Sequence, residues 1–316
     1  MQAAVVNVLG QAPKFQSFPD PVAGEGEVVI RVRAAGLHPI VKALASGSHY
    51  AGSTEVPVVP GVDGVGTLED GSRVYFTFAR KPWGAMSELT VAPRSRCLPV
   101  PDGLEDAQAA AIGNPGMSAW MSIKERAGLA AGETVLILGA TGVAGHLAIQ
   151  IARQLGARRV IAAGRNVEAI DSSKVDAIYG LSQPEDAVRE AFAAEAASGI
   201  DVVIDYLWGR PTELLIEALA KGFQASSTHR TRLVEVGESA GKTISLEGAT
   251  LRSIDLTLLG SGFGSTPLDR IFAAIPTLFS MAAAGSLTVD VEPVPLSDVE
   301  EAWNRVQKGR RIVFEV

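Results

Sequence analysis

A charge-free stretch with regularly spaced glycines sets the strongest limit on how this chain can fold. Residues Thr134 to Ala152 contain no Asp, Glu, Lys or Arg, and Gly139, Gly142 and Gly145 stand three residues apart within them. A stretch of this length could cross a membrane, but the glycines would break the helix that a span requires. We therefore expect a buried strand, a tight turn and a helix.

The rest of the chain divides into two kinds of pattern. The first hundred residues contain short apolar and alternating runs broken by glycine and proline, which predicts a small β-rich barrel or sandwich. After the glycine stretch, strand-like runs alternate with helix-length segments, which predicts a doubly wound parallel sheet. The strand-like runs are TVLILG, RRVIAAG, IDVVIDY, RLVEVG and IDLTLLGSG.

Composition limits the classes of partner and compartment. The 316 residues are 47% hydrophobic, which is enough for two domains, and the net charge is −7 without any block of lysine or arginine. Nucleic acid is therefore not an expected partner. Cys97 is the single cysteine, so no disulfide can form within the chain, and the start of the sequence lacks a signal-peptide pattern. We expect a cytoplasmic protein that does not enter a membrane.

The glycine stretch predicts a phosphate-binding turn. A helix N-terminus offers unpaired N–H groups and the positive end of the helix dipole, and glycines let a pyrophosphate approach the backbone. The alternative is a tight corner that only packs a helix against a strand. The strand before and the helix after this turn favour cofactor binding, and the expected binding residues are Gly139, Ala140, Thr141, Gly142, Val143 and Gly145.

The end of the next strand-like run predicts which dinucleotide is bound. Arg165 stands twenty residues after Gly145, and no Asp or Glu occurs from Gly156 to Val167. NAD-binding folds usually carry a carboxylate here for the ribose hydroxyls, whereas an arginine suits the 2′-phosphate of NADP. We expect Gly164, Arg165 and Asn166 to contact NADP(H); a solvated surface arginine is the alternative.

The motifs together resemble one family over nearly the whole length of the chain. The chain is similar to the zinc-independent medium-chain dehydrogenases/reductases of the quinone oxidoreductase group. The resemblance implies a GroES-like catalytic domain over residues 1–110, completed by 283–316, and a Rossmann NADP-binding domain over 111–282. The motifs are AAGLHPIVKALASG, VVPGVDGVG, GAMSELTVAP, LPVPDGLEDAQAAAIGNPGMSAW, GATGVAGHLAIQIARQLGA, RLVEVGESAG and PLSDVEEAW.

The resemblance also indicates a protein without metal. His38, Val62 and Asn114 stand where the zinc-dependent relatives carry zinc ligands. A valine cannot bind a metal and an amide is a poor zinc ligand, while a single cysteine excludes a four-cysteine structural site.

Further site residues follow from the resemblance. The segment LHPIVKALASGSHY would line the substrate pocket, with Tyr50 and His38 as hydrogen-bond donors to a substrate oxygen. A packing tyrosine and a structural histidine are the alternative interpretations of these two residues. Other residues would contact the cofactor near its nicotinamide: Ser118, Gly237, Ser261, Gly262 and Phe263. Asp205 and Tyr206 are expected to contact the cofactor because they end a strand of the sheet, where open sheets bind their ligands. After Arg165 the chain is shorter than the family pattern, so we expect a short or distorted third helix.

Three functions remain open at this stage. Without zinc, an isolated ketone lacks a strong Lewis acid, whereas a conjugated acceptor can delocalise charge onto an oxygen that hydrogen bonds stabilise. The sequence therefore favours NADPH-dependent reduction of quinones or small α,β-unsaturated carbonyls by a homodimer. An enoyl-thioester reductase and an NADP-binding redox sensor with little turnover are the alternatives.

The metal expectation can be tested directly on the purified protein. Because Val62 and Asn114 replace ligands of the zinc relatives, elemental analysis should find no stoichiometric zinc. A chelator should leave the circular dichroism spectrum and any reductase activity unchanged. One tightly held zinc per chain would contradict this prediction.

Overall fold

The chain forms two compact units in a computed structural model. One unit, called here the β unit, contains residues 1–117 and 272–316; the other, the α/β unit, contains 118–271. Both boundaries lie within helices. The structure describes residues 1–48, 55–221, 229–262, 264–307 and 309–316.

Fifteen strands and eight α-helices lie within the described residues. The strands are β1 Gln2–Val5, β2 Lys14–Ser17, β3 Glu27–Gly36, β4 Asp63–Thr67, β5 Arg73–Thr77, β6 Leu89–Pro93, β7 Cys97–Pro99, β8 Thr134–Leu138, β9 Arg159–Gly164, β10 Ala177–Gly180, β11 Val202–Asp205, β12 Arg230–Glu235, β13 Asp255–Gly260, β14 Val291–Pro295 and β15 Arg311–Glu315. The helices are α1 Pro39–Ala45, α2 Asp106–Trp120, α3 Val143–Gln154, α4 Glu185–Ser198, α5 Gly209–Lys221, α6 Gly248–Ser253, α7 Leu268–Ala283 and α8 Val299–Ala302.

The β unit is built on a seven-stranded sheet beside the β1–β2 hairpin. The strand order is β14-β15-β3-β4-β5-β7, and β6 pairs with β3. All pairs are antiparallel except β14 with β15. Phe314 of β15 lies opposite Ala35 of β3, so a strand from the end of the chain pairs with one from its beginning. Both residues are buried in the core of this unit.

The α/β unit contains a six-stranded sheet in which every pair is parallel. The strand order is β10-β9-β8-β11-β12-β13. This is the doubly wound order of a Rossmann fold, with the switch in direction between β8 and β11. Parallel strands covered on both faces are apolar throughout, and all five residues of β8 are buried. The predicted fold class is confirmed.

The connection after β9 differs from the other crossovers. It contains two short 3₁₀ turns, Val167–Ala169 and Ser172–Lys174, and no α-helix. The Asp171 side chain accepts a hydrogen bond from the Ser173 backbone N–H at 3.0 Å, which closes the second turn locally. The expectation of a short or distorted third helix is confirmed.

The charge-free stretch folds as strand β8, a turn and helix α3. It therefore forms a buried strand and one helix of twelve residues. A transmembrane helix needs about 20 apolar residues. Within the described ranges, no helix combines the length and the hydropathy that crossing a bilayer requires.

Candidate active site

The glycine turn joins β8 to α3 at the switch point of the α/β sheet. Gly139 has a φ of +87°, a conformation that favours glycine. The backbone N–H groups of Gly139 and Ala140 donate to the Ala163 carbonyl at 2.9 and 3.0 Å, which fixes the turn against β9. Gly142 precedes the first residue of α3, and no side chain of the described residues caps this helix end. Its first N–H groups are therefore left for a ligand.

The other two glycines of the motif have different surroundings. A Cβ on Gly145 would overlap the Gly139 carbonyl oxygen and lie 2.6 Å from Ala140 Cα, so this glycine lets the helix pack against the turn. A Cβ on Gly142 would meet only the Gly139 oxygen, at 3.6 Å. The open space at Gly142 and the uncapped helix end fit the pyrophosphate of a dinucleotide.

The end of strand β9 lies next to this turn. A Cβ on Gly164 would stand 2.5 Å from Thr141 Cγ2, so the two loops are in contact. Arg165 and Asn166 follow and are exposed. In the part of the chain that the structure describes, the Arg165 guanidinium makes no salt bridge. A guanidinium without a carboxylate partner beside the glycine turn fits the 2′-phosphate of NADP.

Asp205 at the end of β11 is occupied by its own turn. The carboxylate is buried, and Oδ1 accepts from the backbone N–H groups of Leu207 and Trp208 at 2.8 and 3.0 Å. Oδ2 accepts from the Thr212 hydroxyl at 2.5 Å. Burial raises the pKa of Asp205, and these three hydrogen bonds oppose the rise. Asp205 therefore stabilises the turn that leads into α5. Its contact with the cofactor stays a prediction.

Tyr206 connects two of the predicted cofactor positions. A Cβ on Gly139 would stand 3.1 Å from Tyr206 Cβ, and one on Gly237 would stand 3.3 Å from the Tyr206 carbonyl oxygen. The Ser239 hydroxyl donates to that oxygen at 2.9 Å. Part of the residue is accessible, yet its hydroxyl is buried without a hydrogen-bond partner among the described residues, and burial raises its pKa. The ends of β8, β11 and β12 thus form one continuous edge.

Two further predicted residues are joined through a serine that the sequence did not single out. The Ser122 hydroxyl donates to the Ser118 carbonyl at 2.7 Å and lies 2.9 Å from Ser261 Oγ. Ser122 belongs to a π-helical turn, Met121–Arg126, that continues α2. Arg126 Nε donates to the Gly260 carbonyl at 2.7 Å, which ties this turn to the end of β13.

Gly262 and Phe263, the other predicted cofactor residues, follow Ser261 in the loop after β13. The Gly262 backbone N–H donates to the Ser265 hydroxyl at 2.7 Å. Phe263 lies outside the described residues. No sequence motif marks Ser122 or Arg126. Their contacts depend on a π-helical turn, which is a departure from α-helical geometry that the sequence pattern does not predict.

In the β unit, His38 belongs to a buried polar network. Its side chain is 1% exposed, with Nε2 at 3.4 Å from Asp63 Oδ1. The Tyr75 hydroxyl donates to Asp63 Oδ2 at 2.6 Å. Arg311, also buried, donates to the Leu37 carbonyl at 2.6 Å.

Desolvation dominates the ionisation of this network. Burial lowers the pKa of His38, and the nearby Asp63 carboxylate only partly opposes the shift. Burial also lowers the pKa of Arg311 to about 10, again against the attraction of Asp63. The pKa of Tyr75 is raised well above its usual value by burial and by Asp63. The folded structure therefore favours a neutral imidazole at His38.

The structure can be compared with the residues predicted for catalysis and for the absence of metal. His38 faces a carboxylate in the core, which fits the structural alternative, and its role as a substrate donor stays a prediction. Tyr50 lies outside the described residues. Val62 and Asn114 are half-buried. Over the described ranges, no group of three His, Cys, Asp or Glu side chains is placed to hold a metal ion; the absence of zinc stays a prediction.

Comparisons with known proteins relate this architecture to known quinone oxidoreductases. No protein-family model matches the chain. It is 26% identical to a probable NADPH-dependent quinone reductase of Emericella nidulans, over 99% of each chain. It superposes on the quinone oxidoreductase of Thermus thermophilus, a structure that was also solved with NADPH, with a TM-score of 0.79, 27% identity and complete coverage of both chains.

The chain is similar in sequence and in fold to the quinone oxidoreductases among the medium-chain dehydrogenases/reductases. The glycine turn, the strand order and the matched length all agree with this similarity, and the chain is an oxidoreductase. The similarity also extends to larger proteins. The chain is 30% identical to a polyketide synthase system protein of Streptomyces orinoci, over 88% of this chain but 12% of that protein.

The buried histidine predicts a pH dependence of stability. The pKa of His38 is lower in the folded protein than its ordinary value of 6.5, so the unfolded chain binds a proton first as the pH falls. Acidification below about pH 6.5 therefore favours unfolding, by at most about 1.4 kcal/mol per pH unit for one group. His38→Asn should reduce this slope in urea unfolding measured from pH 7.5 to 5.

The unmodified protein, measured over the same pH range, provides the control. Equal slopes for His38→Asn and the unmodified protein would show that His38 does not resist protonation in the folded state.

Proposed function

We propose that this protein is an NADPH-dependent reductase that transfers hydride to quinones or small α,β-unsaturated carbonyls without zinc. The observation that carries the proposal is the N-terminus of α3, which no described side chain caps, next to Arg165, whose guanidinium forms no salt bridge among the described residues. Together they offer two separate places for negative charge, which match the pyrophosphate and the 2′-phosphate of NADPH. Relatives that are named NADPH-dependent quinone reductases support the same cofactor.

The bound cofactor supplies the hydride, and the chain supplies binding and orientation. The turn from Gly139 to Gly145 binds the pyrophosphate, while Arg165 and Asn166 bind the adenosine phosphate. The Ser118–Ser122–Ser261 cluster holds the loop that follows β13 in one position. On the β unit, Tyr50 is the first candidate to donate a hydrogen bond to the acceptor oxygen. His38 is the second candidate, although its Asp63 contact competes for the same nitrogen.

The acceptor class follows from the chemistry that the side chains allow. Val62 offers no metal ligand, so charge that develops on the acceptor must be stabilised by hydrogen bonds. Quinones and enones spread this charge over a conjugated system, and the single buried Cys97 fits action in a reducing cytoplasm. The similarity to a polyketide synthase protein favours an enoyl thioester as the second candidate substrate.

Kinetics with three acceptors test the function. NADPH oxidation should be fastest with 1,4-naphthoquinone, slower with cyclohexenone and slowest with crotonyl-coenzyme A. A higher kcat/KM for the thioester would favour the enoyl reductase. No turnover with any acceptor, together with tight NADPH binding, would favour the redox sensor.

Arg165 predicts the cofactor preference. Its guanidinium can form two charge-assisted hydrogen bonds with the 2′-phosphate, which NADH lacks, and such bonds contribute about 1.5–3 kcal/mol. Calorimetric titration should therefore show NADPH binding roughly tenfold to over a hundredfold tighter than NADH. Arg165→Ala should remove most of this difference and leave the Kd for NADH nearly unchanged.

An exposed arginine of the same unit serves as the matched control. Arg252→Ala, on helix α6, should leave both dissociation constants unchanged. Equal affinities for NADPH and NADH in the unmodified protein would contradict the role assigned to Arg165.

Strand β13 predicts a homodimer. It lies at one edge of the six-stranded sheet, and its residues are half-buried or exposed. Pairing two copies of β13 across a two-fold axis would satisfy both edges at once. Light scattering at micromolar concentration should give twice the mass of one chain; the mass of a single chain would contradict this assembly.

A further inference from the structure

The loop that follows β9 carries the residues proposed for the 2′-phosphate, but it contains no α-helix. Its backbone forms two short 3₁₀ turns, Val167–Ala169 and Ser172–Lys174. A regular helix fixes its own backbone through consecutive hydrogen bonds, whereas a single 3₁₀ turn fixes only a few residues. The positions of Arg165 and Asn166 therefore depend on contacts between this loop and the elements beside it.

The first residues of the loop are held from the side of β10, and the next turn closes on itself. The Ser182 hydroxyl donates to the Arg165 carbonyl at 3.4 Å. The Ala169 backbone N–H donates to the Asn166 carbonyl at 3.1 Å. Because Asn166 and Ala169 are joined in one turn, a contact with Ala169 also positions Asn166 and the arginine before it.

His146 in the first turn of α3 makes such a contact. Its backbone N–H donates to the Gly142 carbonyl at 2.9 Å, so this residue belongs to the turn of helix that begins directly after the glycine motif. Its imidazole ring donates a hydrogen bond to the Ala169 carbonyl. The ring thus joins the helix proposed to bind the pyrophosphate to the loop proposed to bind the 2′-phosphate.

The surroundings of His146 favour a neutral ring that serves this one contact. Burial lowers the pKa of His146, the hydrogen bond to Ala169 opposes the shift, and the charge of Lys174 adds to it. A neutral imidazole has one N–H donor and one acceptor nitrogen. Nε2 is buried without a hydrogen-bond partner among the described residues, so the donor is Nδ1.

The unpaired nitrogen shows that packing alone does not explain the histidine. A buried polar atom without a partner is unfavourable, and an apolar side chain would fill the same space without this penalty. What an imidazole adds at this position is the hydrogen bond between α3 and the Ala169 carbonyl.

We propose that His146 is a positioning residue for cofactor selectivity, which holds the Arg165–Asn166 loop against helix α3. This inference rests on the proposed NADPH-dependent function and adds a residue that acts through Arg165. Thr141 packs against the start of the loop at Gly164, and His146 fixes the turn that follows. Without the ring N–H, Arg165 would no longer be held in one place, so the affinity for NADPH would fall while that for NADH would not.

Cofactor titrations test the selectivity. The measured quantity is the Kd for NADH divided by the Kd for NADPH, from calorimetry on the full chain without an acceptor. His146→Leu, which has no polar side-chain atom, should lower this ratio about three- to tenfold, as expected for the loss of one hydrogen bond. A general loss of stability would weaken the binding of both cofactors and leave the ratio unchanged.

Two further variants serve as controls for the ratio. His146→Asn, whose amide can donate from the position of Nδ1, should keep most of the selectivity of the unmodified protein. Gln154→Leu makes an equivalent change at an exposed position of the same helix and should leave the ratio unchanged.

Hydrogen exchange tests the contact in the protein without cofactor. In His146→Leu the backbone amides of Val167–Ile170 should exchange severalfold faster than in the unmodified protein, because the turn has lost its link to α3. His146→Asn and Gln154→Leu should exchange as the unmodified protein does. This measurement separates the inference from the proposed function, since it requires neither NADPH binding nor reductase activity.

A lower ratio together with faster exchange in His146→Leu supports the assignment, even if no acceptor is reduced; in that case only the reductase function fails. An unchanged ratio would overturn it, because the ring would then have only a structural role. A lower ratio without faster exchange would also overturn it, because the effect would not act through the loop. Thermal unfolding checks each variant, and His146→Ala provides the same comparison if His146→Leu does not fold.

Discussion

The close approach of helix α3 to the end of strand β8 is the contact on which the α/β unit depends. At Gly145 the helix backbone lies so near the turn that any side chain would overlap the Gly139 carbonyl oxygen. This approach directs the uncapped helix end along the carboxyl edge of the sheet, where the loops after β9, β11 and β12 also converge. A larger residue would move the helix end, and the position proposed for the pyrophosphate would move with it.

The β unit depends on a different kind of interaction. Its core contains a carboxylate, an imidazole, a phenol and a guanidinium, and removing these groups from water is unfavourable. Asp63 accepts a hydrogen bond from Tyr75 and lies beside His38, so the loss of Asp63 would leave the Tyr75 hydroxyl buried and unsatisfied. The network joins side chains of β4 and β5, and the Arg311 guanidinium of β15 is close enough to contribute to the lowered pKa of His38.

Much of the fold could be predicted because its signals are local. The strand-like runs after residue 130 form parallel strands in the structure. The segment after Arg165, which is shorter than the family pattern, forms two short turns. The glycine turn was readable because its conformation is restricted to glycine at Gly139.

Other features were hidden because they depend on distant residues. Ser122 contacts Ser261, which lies far along the chain, and no sequence motif marks that contact. Nothing around Arg96 in the sequence announces that Phe272, from the other end of the chain, stacks against it. Contacts of this kind follow from sheet register and chain crossing, which periodicity does not encode.

The π-helical turn at Met121–Arg126 has a consequence for changes in chain length. It contains more residues per turn than an α-helix, so the loss of a single residue there could restore regular α-helical bonding. That deletion would turn the following residues by about 100° around the helix axis. Ser122 and Arg126 could then no longer both reach the end of β13. A deletion that improves the local helix would therefore release the loop, so this segment should tolerate substitutions more readily than changes in length.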